Sequence, residues 1–374
     1  MIEVGVTDAI PTNVLLGTDL GRLVARYEPN PIPVKPESPP EVLDPYWCYT
    51  ESSCGPSTWQ SLGFCNGTQQ SPINIPESSA LYNGSLGVFT FNNYSDPSKL
   101  LTITNTGHTV EVAIDSGVSM SGGGLPAGYS AIAFHFHWGN GTSGSEHQLS
   151  GKQYPIEMHV VHTKGGVSLT DAKKDPTGIA VLGFFIDVST TQFRIMFYVM
   201  DSANASQLGG LSGLLGQVSI PGTTLTLNST FSLDGLLANV NRTMYYRYSG
   251  SLTTPTCDQV VVWTVFKQPI YVPSGVVQNF TSALKHNASG NMETMVNNFR
   301  PLQSLNGRQV QVSFTTFSST VTSNVTAKTT VASNVTATTS SSSCTQYSVI
   351  IYVSLSLQFL SQWTSIHVFN RNLV

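Results

Sequence analysis

The sequence predicts a mostly β fold with few helices, and two observations lead to this prediction. Short alternating or apolar runs, bounded by clusters of Gly, Asn and Pro, recur throughout residues 44–316, which is typical of strands joined by turns. Hydrophobic residues make up 40% of the 374 residues, which is enough to build a sizeable core. Because single all-β domains of roughly 200–250 residues are common, we predict one domain over 44–316.

The predicted elements follow one another along this domain. The runs with strand character are Leu101–Ala113, Ala131–Trp138, Ile156–His162, Ile179–Val188 and Val260–Val265. One short helix is predicted at Gly275–Lys285.

The segments that flank the domain differ from it in composition. Residues 1–43 end in a proline-rich run, which predicts an unstructured leader. Residues 317–343 consist largely of Ser, Thr, Val and Ala with almost no charge. Such a segment cannot bury a core, so we predict a glycosylated stalk.

The C-terminal tail, residues 344–374, is semi-apolar. Four serines at 340–343 precede its most apolar part, 349–360, and this order is similar to that of a glycosylphosphatidylinositol (GPI) anchor signal. Ser356 and Gln358 weaken the similarity, so a simple secreted form remains the alternative. The apolar part is shorter than the ~20 residues that a membrane-spanning helix needs.

The charge of the chain and its glycosylation motifs bear on its binding partners and its cellular location. Charged residues make up only 10% and the formal net charge is −4, which argues against an electrostatic nucleic-acid binder. The Asn-x-Ser/Thr motif occurs far more often than the roughly four times expected by chance, which favours an extracellular glycoprotein. A chain that is simply rich in Ser and Thr remains the alternative. The motifs begin at Asn66, Asn83, Asn93, Asn140, Asn204, Asn228, Asn241, Asn279, Asn287, Asn324 and Asn334.

The five cysteines contain no C-x-x-C pair, which disfavours a structural zinc site of the cysteine type. In a secreted chain they predict two disulfides and one odd cysteine. Residues 1–25 show no basic segment followed by an apolar one, so no secretory signal is visible. Either the natural start differs, which we favour, or the protein is not extracellular.

The chemistry-bearing motif is the segment Phe134–Gly139, with the sequence FHFHWG. In a strand, His135 and His137 project from the same face, and His159 arrives on another β-rich segment. Three neutral imidazoles with one open position are the ligand set of a catalytic zinc site. An aromatic-rich strand that happens to contain two histidines is the alternative.

The residues around this motif resemble the alpha carbonic anhydrases. The resemblance implies a large, twisted, mainly antiparallel sheet with short surface helices, one Zn²⁺ ion, and reversible hydration of carbon dioxide to bicarbonate by zinc-bound hydroxide. The matching stretches are Gln70–Ile75, Asn105–His108, Phe134–Gly139, Gly144–His147, Glu157–His162, Ala180–Gly183, Tyr248–Pro255 and Asn298–Pro301.

The resemblance also implies roles at the metal. His135, His137 and His159 match the zinc ligands, and Glu157 matches the carboxylate that orients His159. Thr253 matches a hydroxyl that aims the nucleophile.

The resemblance implies further roles around the metal. Glu146 accepts the hydrogen bond of the Thr253 hydroxyl, and Thr254 lines the same pocket. Four apolar residues match the wall that receives carbon dioxide, although ordinary core packing is the alternative for each. They are Val161, Val181, Leu252 and Trp263.

His108 matches the proton shuttle, because an imidazole that titrates near pH 6.5 can take up and release a proton. His286 and His367 receive no role. Three residues, Ala133, Glu111 and Thr106, depart from the family pattern. Ala133 replaces a glutamine that supports the first ligand, and Glu111 at the cavity rim is expected to raise the pKa of His108. Thr106 replaces an asparagine that helps to order waters.

The cysteines resemble those of the membrane-anchored extracellular carbonic anhydrases. The resemblance implies the pairs Cys48–Cys54 and Cys65–Cys257, with Cys344 left over. We expect a monomer that acts on carbon dioxide and bicarbonate outside the cell, secreted or tethered to the outer face of the plasma membrane.

Two other functions are alternatives to carbon dioxide hydration. An inactive carbonic-anhydrase-like binding or matrix protein would lack one of the three histidines. A different zinc hydrolase would carry an H-E-x-x-H helix, which this sequence lacks.

Overall fold

The computed structural model describes residues 46–189, 205–237 and 240–315. The leader predicted at 1–43, the stalk at 317–343 and the tail at 344–374 lie outside the described residues, as does His367.

The described residues form sixteen strands and four short α-helices, with 3₁₀ turns between them. The strands are β1 (Asn74–Ile75), β2 (Leu81–Tyr82), β3 (Phe89–Asn92), β4 (Leu100–Asn105), β5 (Val110–Ile114), β6 (Ser119–Gly122), β7 (Tyr129–Trp138), β8 (Gln148–Leu149), β9 (Ile156–Lys164), β10 (Ile179–Val188), β11 (Thr224–Thr226), β12 (Tyr245–Gly250), β13 (Val261–Val272), β14 (Lys285–Ala288), β15 (Asn291–Thr294) and β16 (Gln311–Val312). The helices are α1 (Leu169–Ala172), α2 (Ala205–Gly213), α3 (Leu233–Leu237) and α4 (Ser274–Ala283). The 3₁₀ turns are Pro56–Ser61, Glu77–Ser79, Pro97–Lys99 and Leu215–Val218.

Twelve of these strands form one large sheet, in the order β11-β4-β5-β7-β9-β10-β13-β12-β16-β2, while β6 joins β3 to β7. Within the described residues, the parallel pairings of this sheet are β10 with β13 and β16 with β2. The remaining pairings are antiparallel, which confirms the predicted mostly β fold with a large, mainly antiparallel sheet. The short parallel pair β1–β8 and the hairpin β14–β15 lie outside this sheet.

The large sheet separates two clusters of buried side chains. Along β7, Phe134, Phe136 and Trp138 point to one side and are fully buried in the larger cluster. Val181 and Trp263 belong to the second cluster, on the opposite side. Because burying a Phe side chain contributes about 1.5–3 kcal/mol, the alternation along β7 fixes which face the intervening histidines occupy.

Most predicted elements agree with the structure, but the strand predicted to end at Val265 continues to Val272 as β13, and one predicted run is divided. The run Ile179–Val188 is β10, and the predicted helix becomes α4 at Ser274–Ala283. The run predicted at Leu101–Ala113 is two strands, β4 and β5, because the chain reverses at Gly107, where φ is +86°. Only glycine adopts that backbone readily. Within the described residues, no helix combines the length and the apolar character that crossing a membrane requires.

Candidate active site

Three histidines converge on the face of the sheet that holds the smaller buried cluster. His135 and His137 project from the same side of β7, and His135 lies directly opposite His159 of β9. One ring nitrogen from each residue lies within 4.8 Å of the others. His137 and His159 are buried, whereas His135 is half-buried. The structure therefore brings together the three histidines predicted from the sequence to be ligands.

Two of the three imidazoles are held in place by hydrogen bonds on their far side. The ring Nδ1 of His137 lies 2.8 Å from the backbone carbonyl oxygen of Asn298. The ring Nε2 of His159 lies 2.7 Å from the carboxylate of Glu157. The opposite nitrogen of His137, Nε2, is buried without a hydrogen-bond partner among the described residues. Such an atom is costly to bury, and a metal ion at the centre of the cluster would satisfy it.

Burial keeps the imidazoles of His135 and His137 neutral. Desolvation, followed by repulsion from His159, lowers the pKa of His137 to about 3. Desolvation, followed by repulsion from His137 and His159, lowers the pKa of His135 well below its usual value. A metal ion binds only the unprotonated ring. The residues present therefore fit a metal ion with nitrogen ligands.

Glu157 lies between two imidazoles. Its carboxylate is 2.7 Å from His159 and 2.7 Å from Nδ1 of His147. Burial alone would raise the pKa of Glu157, but His147 and His159 outweigh it and hold that pKa well below its usual value. The neighbouring position on β10 is Gly183, where an added Cβ would come within 3.1 Å of the Glu157 carboxylate. The small residue leaves the space that this carboxylate occupies.

Glu146 is a buried carboxylate beside the cluster. Its Oε1 accepts a hydrogen bond of 2.8 Å from the backbone N–H of Arg300. Its Oε2 is 3.4 Å from the free Nε2 of His137. Burial raises the pKa of Glu146 to about 7, and this rise is opposed in part by His159, Arg300 and a hydrogen bond from Thr253. Thr253 itself is buried, and its side chain is among the groups that lower the pKa of Glu146.

The predicted apolar wall forms a row beside the histidines. Val161 pairs with Ala133 on one side and with Val181 on the other, and Val181 is in register with Trp263. Residues paired across adjacent strands point to the same face. Leu252 lies in the loop between β12 and β13 and packs against the smaller buried cluster. Both Leu252 and Val161 are half-buried. Thr254, two residues further along that loop, is also half-buried.

Comparisons with known proteins agree with this geometry. The profile of the family described as eukaryotic-type carbonic anhydrase matches residues 54–314. The chain is 39% identical over 272 residues to carbonic anhydrase 4 of Oryctolagus cuniculus, covering 71% of this chain and 83% of that protein. The chain belongs to the eukaryotic-type carbonic anhydrase family.

Two further relatives support the assignment. Carbonic anhydrase 15 of Mus musculus is 37% identical over 280 residues, covering 71% of this chain and 83% of that protein. Carbonic anhydrase 7 of Homo sapiens is 35% identical over 275 residues, covering 72% of this chain and 97% of that protein. The prediction that the chain is a carbonic anhydrase is confirmed.

His108, the residue matched to the proton shuttle of the carbonic anhydrases, lies in the turn between β4 and β5. Its ring stacks on Trp47 with the centroids 3.9 Å apart. Burial, followed by repulsion from His286, lowers the pKa of His108. The expectation that Glu111 raises this pKa is wrong, since the pKa is lowered and its causes are burial and the charge of His286. Glu111 is paired with His135 across β5 and β7.

The two disulfides implied by the carbonic anhydrase resemblance are present. Cys48 is bonded to Cys54, and Cys65 is bonded to Cys257. The second bond joins the N-terminal segment to the loop that follows Thr253.

Several residues of the site were not singled out from the sequence. Asn298 contacts His137 through its carbonyl, and Arg300 contacts Glu146 through its N–H. Both lie in a stretch that resembles the carbonic anhydrases, and that resemblance was the available signal. Trp47 and His286, beside His108, gave no signal of their own because their neighbours are distant in the chain.

Proposed function

We propose that this chain catalyses the reversible hydration of carbon dioxide to bicarbonate and a proton, with one Zn²⁺ ion held by His135, His137 and His159. The observation that carries the proposal is the convergence of three imidazoles, one of which turns a buried and unpartnered nitrogen toward the centre. Zinc suits such a ligand set, since three imidazoles and an open fourth position are typical of its catalytic sites. When bound, Zn²⁺ lowers the pKa of water to about 7 and so supplies a nucleophile at neutral pH.

Thr253 and Glu146 orient the reacting oxygen. The proposed role of the Thr253 hydroxyl is to donate its hydrogen bond to Glu146, and a hydrogen bond from Thr253 is one of the effects that lower the pKa of Glu146. The Thr253 oxygen then offers only lone pairs to the cavity, so it accepts a hydrogen bond from whatever oxygen lies there. This fixes the direction in which that oxygen presents its own lone pair.

The wall of Val161, Val181, Leu252 and Trp263 would receive the carbon dioxide molecule. The substrate carries no net charge, so an apolar surface binds it without a charged partner and keeps competing waters away. Thr254, at the edge of this wall, is proposed to line the same pocket.

His108 carries the proton that each hydration releases. A ring nitrogen of His108 accepts this proton and gives it to solvent. Since burial lowers the pKa of His108, the imidazole is neutral at pH 7 and ready to accept.

We also propose that the enzyme acts outside the cell. Two disulfides are formed among the described residues, and such bonds persist in oxidising compartments. The alternative of an inactive binding protein is not proposed, because no ligand of the cluster is missing.

The test is His159→Ala in the full chain, with Met158→Leu as the matched control. Met158 is the preceding residue on β9 but faces the opposite cluster, and a Met-to-Leu exchange usually costs less than about 1.5 kcal/mol. We expect His159→Ala to lose its zinc and essentially all hydration activity while circular dichroism shows an intact β fold. Met158→Leu should keep both. Full activity in a zinc-free His159→Ala protein would contradict the proposal.

A further inference from the structure

His286, which received no role from the sequence, lies beside the cavity that His108 lines. The two histidines and Trp47 border one cavity of about 50 Å³. A single water needs roughly 10–15 Å³ of such space and two or more polar partners. The cavity is therefore large enough for water to connect the two imidazoles.

Asn105 fixes the segments that carry the two histidines relative to each other. Its side-chain oxygen accepts a hydrogen bond of 2.9 Å from Gly107, in the turn that holds His108. Its side-chain nitrogen donates a hydrogen bond of 3.0 Å to the carbonyl of Lys285, the residue before His286. Asn105 is fully buried. A buried amide bonded at both ends is costly to disturb, so the spacing of the two histidines is a fixed feature of the fold.

The charge of His286 also acts on His108. Burial first, and then the charge of His286, lowers the pKa of His108. A proton on His286 therefore disfavours a second proton on His108.

Other titratable groups lie around His286. Across the hairpin, His286 lies opposite Glu293 of β15, an exposed residue. Tyr46 and Tyr49 also line the cavity. Burial raises the pKa of Tyr49 well above its usual value, so this phenol does not exchange protons near neutral pH. His286 is half-buried, and Glu293 leads from it to solvent.

We propose that His286 is a second proton-relay residue, in series with His108, that moves protons from the cavity to solvent at the Glu293 side of the hairpin. One proton leaves a ring nitrogen of His108 for a cavity water, which gives one of its own protons to a ring nitrogen of His286. His286 then releases a proton to buffer or bulk water, and no other bond changes. The proposal rests on the proposed function, because the relay operates only if His108 takes up protons from hydration.

The kinetic test is His286→Gln, which keeps hydrogen-bonding groups but does not titrate near neutral pH. We expect turnover in dilute buffer to fall by about 3–10-fold, which is less than the ~100-fold contribution typical of a general acid or base at the reacting atoms. Turnover in concentrated imidazole buffer and kcat/KM should stay unchanged. Met292→Gln, an exposed change on the partner strand of the same hairpin, is the matched control and should leave all three unchanged.

The second readout does not depend on activity. In nuclear magnetic resonance titrations, the pKa of His108 should rise in His286→Gln, since the repulsion from His286 is removed. The double variant His108→Ala/His286→Gln should be no slower in dilute buffer than His108→Ala alone. Multiplied losses would show two independent carriers and would overturn the series relay.

The outcomes separate the two proposals. Absence of zinc and of hydration in concentrated buffer would contradict the proposed function. Normal zinc content and normal turnover in concentrated buffer, together with unchanged turnover of His286→Gln in dilute buffer, would contradict the relay alone. Glu293→Gln provides a second variant at an exposed position, and we expect from it a smaller slowing in dilute buffer.

Discussion

The three imidazoles of the site differ in the hydrogen bonds that hold their rings in place. His137 contacts the Asn298 carbonyl and His159 contacts Glu157. Among the described residues, no hydrogen bond reaches either ring nitrogen of His135, and Ala133 is the same-face neighbour on its strand. A bond on the far nitrogen fixes the tautomer and raises the basicity of a metal-ligating imidazole. His135 is therefore the least supported of the three proposed ligands.

This difference predicts that Ala133→Gln strengthens metal binding. A glutamine at position 133 lies two residues before His135 on the same face, so its amide oxygen can accept from the far ring nitrogen of His135. Loss of such a partner typically costs 10–100-fold in metal affinity, so we expect a gain of roughly tenfold. Competition for zinc with a chelator measures it.

The control for this gain is Ala133→Leu. Leucine fills a similar space without accepting a hydrogen bond, so it should leave the zinc affinity close to that of the unchanged chain. An equal gain from Leu and Gln would mean that packing, rather than a hydrogen bond, limits the affinity.

At the scale of single residues, the sequence predicts what depends on local spacing. His135 and His137 are two positions apart in a strand, so their common face follows from the geometry of the backbone. The contact between His137 and Asn298 spans 161 positions, and nothing local in the sequence brings them together. The stacking of Trp47 on His108 and the cavity shared with His286 are unpredictable for the same reason.

At the scale of elements, periodicity predicts strands but not their partners. The run Ile179–Val188 is apolar on both faces, and β10 is accordingly buried between an antiparallel neighbour, β9, and a parallel one, β13. An apolar run of this kind suits a parallel or an antiparallel neighbour equally well, so the sequence does not predict which strands pair with β10. The apolar residues on both sides of Gly107 suggest one continuous strand, whereas the chain reverses there between β4 and β5.

The Cys65–Cys257 disulfide links two elements that the sheet does not hold together. Phe64 donates a hydrogen bond of 2.8 Å to the carbonyl of Thr256, and Gln70 donates to the carbonyl of Cys257. The loop that carries Thr253 and Thr254 is therefore attached to the N-terminal segment by this bond and by a few hydrogen bonds.

We expect the double variant Cys65→Ala/Cys257→Ala to lose about 2–4 kcal/mol of unfolding free energy, since the bond closes a long loop in the unfolded chain. The bonded cysteines are 192 positions apart. Zinc should be retained, because the three histidines lie on β7 and β9, but turnover should fall as Thr253 becomes less fixed. Urea unfolding, zinc analysis and hydration rates measure the three effects.

The matched control is Cys48→Ala/Cys54→Ala, whose cysteines are only 6 positions apart. The entropy of loop closure grows with loop length, so this variant should lose less stability. Equal losses from the two variants would show that loop length is not the cause.

At the scale of the whole molecule, the placement of the glycosylation motifs agrees with an extracellular surface. Eight of the predicted acceptor asparagines lie within the described residues, and none of these is buried. Asn83 and Asn279 are half-buried, with their side-chain nitrogens donating to Gln311 and Ser212. The other six are exposed, which is where glycan attachment requires them to be. These are Asn66, Asn93, Asn140, Asn228, Asn241 and Asn287.

The remaining prediction for the whole molecule is a lipid tether at the C-terminal end. Residues 317–343 supply small and glycosylatable side chains, residues 340–343 are all serine, and an apolar stretch follows at 349–360. This order is that of a lipid-anchor signal, but Ser356 and Gln358 interrupt the apolar stretch.

We expect a phospholipase specific for phosphatidylinositol to release the enzyme from intact cells that express the full chain. A chain that ends at residue 316 is the control, and its activity should already be in the medium without lipase. Activity of the full chain that is in the medium from the start would favour the secreted form. Activity that stays on the cells after lipase and leaves only with detergent would show another mode of attachment.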